Sequence, residues 1–229
     1  MKKIAILQSN YLPWKGVFDM INQVDEFVFL EDAQYTKNDW RNRNKILIQT
    51  KPTWITVPVY NYSLEQLIYR TEIVMKYNWQ RKHFNTFQIN YSRASHYKKY
   101  LPLLEDIFLD KSWTNLSELN IYTTKIIAKE LGITTKFINS VDLGCDGIKD
   151  DKLIKICKKL GATHYLSGPS AKNYIDPIKF QTNNIELEYI EYNYPEYNQG
   201  KEGFITHGVT VLDLMFHCGD ESPKYIFKS

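Results

Sequence analysis

Ile4-Ala5-Ile6-Leu7 is a short apolar run closed at once by polar Gln8-Ser9-Asn10, the form of a strand buried on both faces of a parallel sheet. Val17-Phe18-Asp19-Met20-Ile21-Asn22-Gln23-Val24 then places apolar residues at helical spacing, and Phe27-Val28-Phe29-Leu30 is a second apolar run. Strand, loop, helix and strand in that order predict a βαβ unit with parallel strands and a right-handed crossover. Trp54-Ile55-Thr56-Val57-Pro58-Val59 reads as a third strand of the sheet, kept near an edge by Pro58.

From about 62 to 132 strand signals are sparse and the spacing predicts helices over about 78–92, 97–109 and 115–131. The last carries Leu116, Leu119, Ile121, Tyr122, Ile126, Ile127 and Leu131 and stops at Gly132. After this helical insertion the α/β alternation resumes. Strands are predicted at Lys136-Phe137-Ile138, at Thr163 to Leu166 and, by period-two alternation, at Ile185 to Ile190. Helices are predicted from Asp150 to Leu160 and from Val209 to Phe216. The expectation is α/β: one domain over 1–229 with a mostly parallel sheet completed by segments from both ends and an inserted helical subdomain at about 62–132.

Composition narrows the picture only modestly. The 229 residues are 43% hydrophobic and 24% charged, ordinary for a globular chain. A net charge of +3, with basic residues spread along the chain, does not point to nucleic acid. No apolar run approaches the roughly 20 residues needed to span a bilayer, and the apolar start Ile4–Leu7 is too short for a signal peptide. Three cysteines, Cys145, Cys157 and Cys218, lack CxxC spacing and argue against a disulfide framework or structural zinc. A cytoplasmic location is expected.

The segment Ala33-Gln34-Tyr35-Thr36-Lys37-Asn38-Asp39-Trp40-Arg41-Asn42-Arg43-Asn44 is nearly devoid of core-forming residues. It concentrates cations, amides and aromatic rings instead. Arg41 and Arg43 offer planar forks for phosphate or carboxylate, and Trp40 and Tyr35 offer flat faces for a ring. In an open α/β sheet, ligands bind beyond the carboxyl ends of strands. Three loops fit that position: Gln8 to Gly16, Glu31 to Asn44, and Ser167-Gly168-Pro169-Ser170-Ala171-Lys172-Asn173-Tyr174. Candidate binding residues are therefore Gln8, Asn10, Tyr11, Trp14, Gln34, Tyr35, Trp40, Arg41, Asn42, Arg43, Ser167, Gly168, Ser170 and Tyr174. Glu31 and Asp32 are the candidate catalytic pair; they supply a general base or else pair with Arg41 or Arg43. Neither GxGxxG, GxxxxGKS nor GxSxG occurs. No spacing rule supports a metal, and His217 and Cys218 diverge by about 100° on a helix. The residues alone describe a polar pocket suited to a phosphorylated sugar or nucleotide.

Gln8-Ser9-Asn10-Tyr11-Leu12-Pro13-Trp14-Lys15-Gly16, Asp32-Ala33-Gln34-Tyr35, Asp39-Trp40-Arg41-Asn42-Arg43-Asn44, Trp54-Ile55-Thr56-Val57-Pro58-Val59, Tyr165-Leu166-Ser167-Gly168-Pro169-Ser170 with Tyr174, and Val211-Leu212-Asp213 to Cys218-Gly219 together resemble the WbqC-like family of bacterial proteins. The likeness covers nearly the whole chain; Thr206-His207-Gly208 departs from it, where a less polar turn is usual. The resemblance implies a role in O-antigen (lipopolysaccharide) or other surface-polysaccharide synthesis, as a transferase moving an amino acid such as glycine, or an acyl unit, to a nucleotide-linked amino sugar. The implied partners are that sugar nucleotide and an acyl or aminoacyl carrier protein. Arg41, Arg43 and Ser167–Ser170 would hold the diphosphate, Trp40 or Tyr35 would stack on a ring, and Asp32 or Glu31 would take the amine proton. The first βαβ unit also resembles nucleotidyltransferases and ligases of the HIGH type, although Gln8 to Gly16 contains no histidine. A non-catalytic sugar-nucleotide-binding or scaffolding role is the third reading.

Overall fold

The computed structural model describes residues 1–61 and 63–227. Tyr62, the expected first residue of the helical insertion, and Lys228 and Ser229 lie outside them. In chain order the elements are β1 (Lys3–Leu7), α1 (Lys15–Asn22), β2 (Glu26–Phe29), β3 (Arg43–Ile48), β4 (Lys51–Thr56), α2 (Trp79–Tyr91), α3 (Tyr97–Glu105) and α4 (Leu116–Glu130). They continue with β5 (Lys136–Asn139), α5 (Ser140–Leu143), α6 (Lys149–Lys159), β6 (His164–Ser167), α7 (Pro177–Thr182), β7 (Glu186–Tyr189) and α8 (Val211–Cys218).

The main sheet has five strands in the order β5-β2-β1-β6-β7, all pairs parallel. Side chains alternate across it, so each strand feeds two cores. Ala5, Phe27, Phe29 and Leu166 face one layer, shared with Phe18 and Met20 of α1, Leu119 and Ile127 of α4, and Leu212 and Phe216 of α8. Ile4, Ile6, Val28 and Tyr165 face the other, closed by Leu153, Ile156 and Cys157 of α6 and Phe180 of α7. Burial on both sides explains why β1 and β2 read as unbroken apolar runs. The three helices expected in the insertion occur, with α3 running on into a π turn at Asp106–Asp110. They share the first core: Phe87, Tyr91 and Tyr97 pack their rings on Phe216 at 5.1–6.0 Å between centroids.

The Trp54–Val59 segment departs from expectation. Its strand is β4, which ends at Thr56 and pairs antiparallel with β3 in a separate two-stranded sheet; Pro58 follows the strand. The hairpin turns at Gln49 and Thr50, both at positive φ (47° and 68°). Hairpin turns of this sort are normally signalled by Asn-Gly or Gly-Gly, and Gln-Thr carries no such signal. β7, at the sheet edge, is half exposed as its alternation predicts.

Candidate functional site

Connections from β1 run to one side, through β2 to β5, and those from β6 run to the other, to β7. The order therefore reverses between β1 and β6, and loops leaving adjacent carboxyl ends there diverge and open a crevice. A cleft of about 560 Å³ lies at this point. Gln8, Asn10 and Trp14 reach it from the β1–α1 loop, Trp40 and Arg41 from the polar segment, Ser167 from the last position of β6, and Gly168, Ser170 and Tyr174 from the segment after it. The three loops chosen from the sequence thus meet in one place.

The first two loops are tied together. The Tyr11 amide donates to Trp40 O at 2.9 Å. Asn44 Nδ2 donates to Leu12 O at 2.7 Å and Tyr11 O at 3.2 Å, holding Leu12 at φ 43°. These bonds offset the strain of a branched side chain in the left-handed region. Trp14 folds over Gly16, where a Cβ would stand 2.3 Å from the indole ring. Any larger residue at 16 would push that ring out of the cleft wall.

Arg41 is the cation of the site. It is 7% exposed, its Nη1 donates to Ser9 O at 3.3 Å, and its Nε lies 3.7 Å from Asp39 Oδ2 without a hydrogen-bond partner. Burial lowers its pKa, opposed by the charges of Asp39 and Glu31; a guanidinium stays protonated regardless. Asn120 Nδ2 donates to Arg41 O at 2.8 Å and to Ser9 Oγ at 3.3 Å, fixing the backbone from α4. Asn10 adds an unpartnered Oδ1 to the same wall.

The two acidic candidates sit behind this wall. Glu31 is fully buried and accepts from the Ser9 amide at 2.9 Å and Ser9 Oγ at 3.0 Å. Burial raises its pKa, opposed by hydrogen bonds from Ser117 and Ser9 and by the Arg41 charge. Asp32 pairs with Lys152 Nζ of α6 at 2.6 Å and accepts from Ser140 Oγ at 2.5 Å, while Ser140 Oγ accepts from the Glu31 amide at 3.0 Å. Neither carboxylate lines the cleft. Ser140 and Lys152 were not singled out in the sequence, because a serine at a strand end and one lysine among many carry no local signal.

Five other candidates also face away. Tyr11 is buried and shares a 2.7 Å hydrogen bond with His83 Nδ1. Gln34 forms a bridge with Leu67 and donates to Leu64 O, and the buried Tyr35 donates its amide to Gln66 O at 2.7 Å. Asn42 Nδ2 donates to Val57 O at 2.9 Å. Arg43 donates to Asn38 O and lies over the Trp54 ring at 4.2 Å. The polar segment therefore divides its amides and cations between the cleft and its own folding. Asn44, Tyr192 and Gly208 line the cleft unforeseen; the last two lie in the irregular strap between β7 and α8.

Lys15 stands beneath that strap. It is 2% exposed, with Nζ 4.7 Å from the Tyr194 ring, 5.2 Å from the Tyr197 ring and 3.5 Å from Pro195 O, and no carboxylate in ion-pair range among the described residues. Burial lowers its pKa from 10.5 to about 8, opposed by Cys218. Between those values the unfolded chain binds more protons than the folded one, so stability rises with pH there, and the penalty is fully present below about pH 8. At roughly 1.4 kcal/mol per pKa unit, less what the aromatic rings return, Lys15→Met is expected to stabilise the protein by about 1–2 kcal/mol at pH 7. The gain should shrink as pH rises above about 8 and vanish only above 10.5 in calorimetric scans; a lower Tm at pH 7 would refute it.

His207, Asp213, His217 and Cys218 form no metal-binding group, and none of three or more His, Cys, Asp or Glu occurs among the described residues. Burial pushes the Cys218 thiol up to about 11, the opposite of an activated nucleophile. No helix among the described residues is long and apolar enough to cross a membrane.

The profile of the WbqC-like protein family matches residues 8–225. The chain is also 40% identical over 227 residues to the uncharacterized protein Rv1507c of Mycobacterium tuberculosis, covering 99% of this chain and 98% of the relative. No solved structure matches it.

Proposed function

From the premise that this chain belongs to the WbqC-like family, we propose that the cleft binds a nucleotide-linked amino sugar and that the protein transfers an aminoacyl or acyl group to the sugar's amine. Surface-polysaccharide synthesis is the kind of pathway that uses such a product. The observation that carries this reading is Arg41, a buried guanidinium whose Nε has no hydrogen-bond partner, in a cleft also lined by Ser167 and Ser170. That pairing of fork and hydroxyls suits a diphosphate. The rings of Trp14, Trp40, Tyr174 and Tyr192 around it suit a base or sugar.

In the reaction the sugar amine attacks the carbonyl carbon of an activated ester or thioester, forming the C–N bond. The C–O or C–S bond breaks, and the amine proton leaves with the alcohol or thiol. Glu31, behind Ser9, acts as a positioning residue for Arg41 and the β1 loop. The cleft contributes orientation, which alone can supply much of the rate. A non-catalytic binder is favoured by one observation, that no carboxylate lines the cleft among the described residues.

Thermal-shift and calorimetric titrations with dTDP-, UDP- and GDP-linked amino sugars, ATP and coenzyme A test the reading. One sugar nucleotide should stabilise the protein, and Arg41→Ala should weaken it by about 10–100-fold, the value of one or two charge-assisted hydrogen bonds. Arg41→Lys should fall between, since a point charge lacks the fork. Equal affinity in Arg41→Ala would end the proposal, and a shift with ATP alone would favour the ligase reading. Binding without acyl transfer from any thioester or ester donor would leave the binder.

A further inference from the structure

A second cavity of about 450 Å³ lies at the other end of the β3–β4 hairpin. It is bounded by the hairpin turn at Gln49 and Thr50, Asn90 at the end of α2, Arg93 in the turn after it, the strap around Asn198–Lys201, and His217 of α8. Its nearest β3 residue, Leu47, stands three positions from Asn44 in the cleft wall, about 10 Å at ~3.4 Å per residue, and the two linings have no residue in common. The cavity is therefore not an extension of the cleft.

Its electrostatics are one-sided. Arg93 and Lys201 both line it, and neither forms an ion pair or hydrogen bond within the described residues, whereas Lys99, Lys152, Lys155 and Lys179 all have carboxylate partners. No carboxylate lines the cavity among those residues. Asp213, buried behind the lining residues Tyr91 and Gln199, is occupied by Tyr91 Oη at 2.8 Å, Tyr197 Oη at 2.7 Å and Gln199 Nε2 at 2.8 Å. His217 adds no third charge at neutral pH, since burial lowers its pKa. Below the cations the floor is apolar and aromatic, made by Leu47, Tyr91, Ala94 and Ile205.

We propose that this cavity is a second binding site, for a small phosphomonoester whose phosphate lies between Arg93 and Lys201 and whose carbon skeleton or ring rests on the Leu47–Tyr91–Ile205 floor. A guanidinium and an ammonium without competing carboxylates match a phosphate dianion in charge and hydrogen-bond donors. The volume lies within the range of small-molecule sites. The site stands on different residues from the Arg41 cleft and does not depend on what that cleft binds.

Phenyl phosphate is the probe, titrated calorimetrically into wild type, Arg93→Gln/Lys201→Gln, Arg41→Ala and the charge-matched control Lys98→Gln/Lys158→Gln. Both lysines of the control are exposed and lie outside the cavity. Saturable binding should survive in Arg41→Ala and the control, and weaken by about tenfold or more in Arg93→Gln/Lys201→Gln, as loss of two charge-assisted contacts requires. All the altered side chains of that double variant are exposed, so it should fold. Loss in Arg41→Ala instead, equal loss in the control, or no saturable binding to wild type would each overturn the proposal.

Discussion

Asp213→Ala is expected to lower the unfolding free energy by about 3–5 kcal/mol, because it strands two buried phenol donors at once and takes one of three acceptors from Gln199 Nε2, which keeps Thr206 O and Tyr197 Oη. Asp213 is fully buried at the start of α8 and accepts from Tyr91 of α2 and from Tyr197 and Gln199 of the strap. Burial, and then its negative charge, push both phenols up, so all three partners remain donors. The effect reaches further than the carboxylate. Gln199 Oε1 accepts from the amides of Ile205 and Thr206 at 2.8 and 2.9 Å, and the strap it shapes carries Gly208 into the cleft wall. Asp213→Asn keeps one acceptor oxygen and should lose about half as much. Urea unfolding at pH 7 measures both; a loss under about 1 kcal/mol in the alanine variant would show that the donors find other partners.

Much of this architecture is legible in the chain. Two-sided burial turns β1 and β2 into continuous apolar runs, and α4 shows a helical stripe ending at Gly132, so local pattern and tertiary role agree. The three loops that meet at the cleft are equally readable, because each follows an apolar strand with a dense run of polar and aromatic residues, although Tyr11, Leu12 and Tyr35 of those runs join the core. Reading fails where a residue's role depends on a distant partner. Asn42 resembles Asn10 in the sequence, yet its amide meets the backbone carbonyl of Val57, while Asn44, which binds Leu12 O, lines the cleft as well. Asp32 looks like a free carboxylate until α6 brings Lys152 to it across 120 residues. Tyr192 reaches the cleft from a strap with no periodicity to announce it. The β3–β4 hairpin is hidden for another reason, its turn being made by residues that seldom adopt positive φ.

Glu31 is where these two levels meet, and its replacement should be about as costly as that of Asp213. Glu31→Ala is expected to destabilise by about 3 kcal/mol or more, since it removes the acceptor of the Ser9 amide and hydroxyl and leaves the buried Arg41 guanidinium with Asp39 as its remaining counter-charge. Glu31→Gln keeps the volume and one acceptor and should lose less. The pair separates by pH. Burial raises the Glu31 pKa above 4.5, so the folded protein binds a proton there more tightly than the unfolded chain. The resulting stabilisation is complete below 4.5 and is lost as pH rises through the folded value. Wild type should accordingly lose stability relative to Glu31→Gln as pH climbs from 4.5 towards neutrality, in urea titrations of both proteins. Parallel curves would mean that the Ser9, Ser117 and Arg41 contacts outweigh burial and hold the carboxylate ionised throughout. In that event Glu31 would be a fixed counter-ion whose work is to aim Arg41 into the cleft.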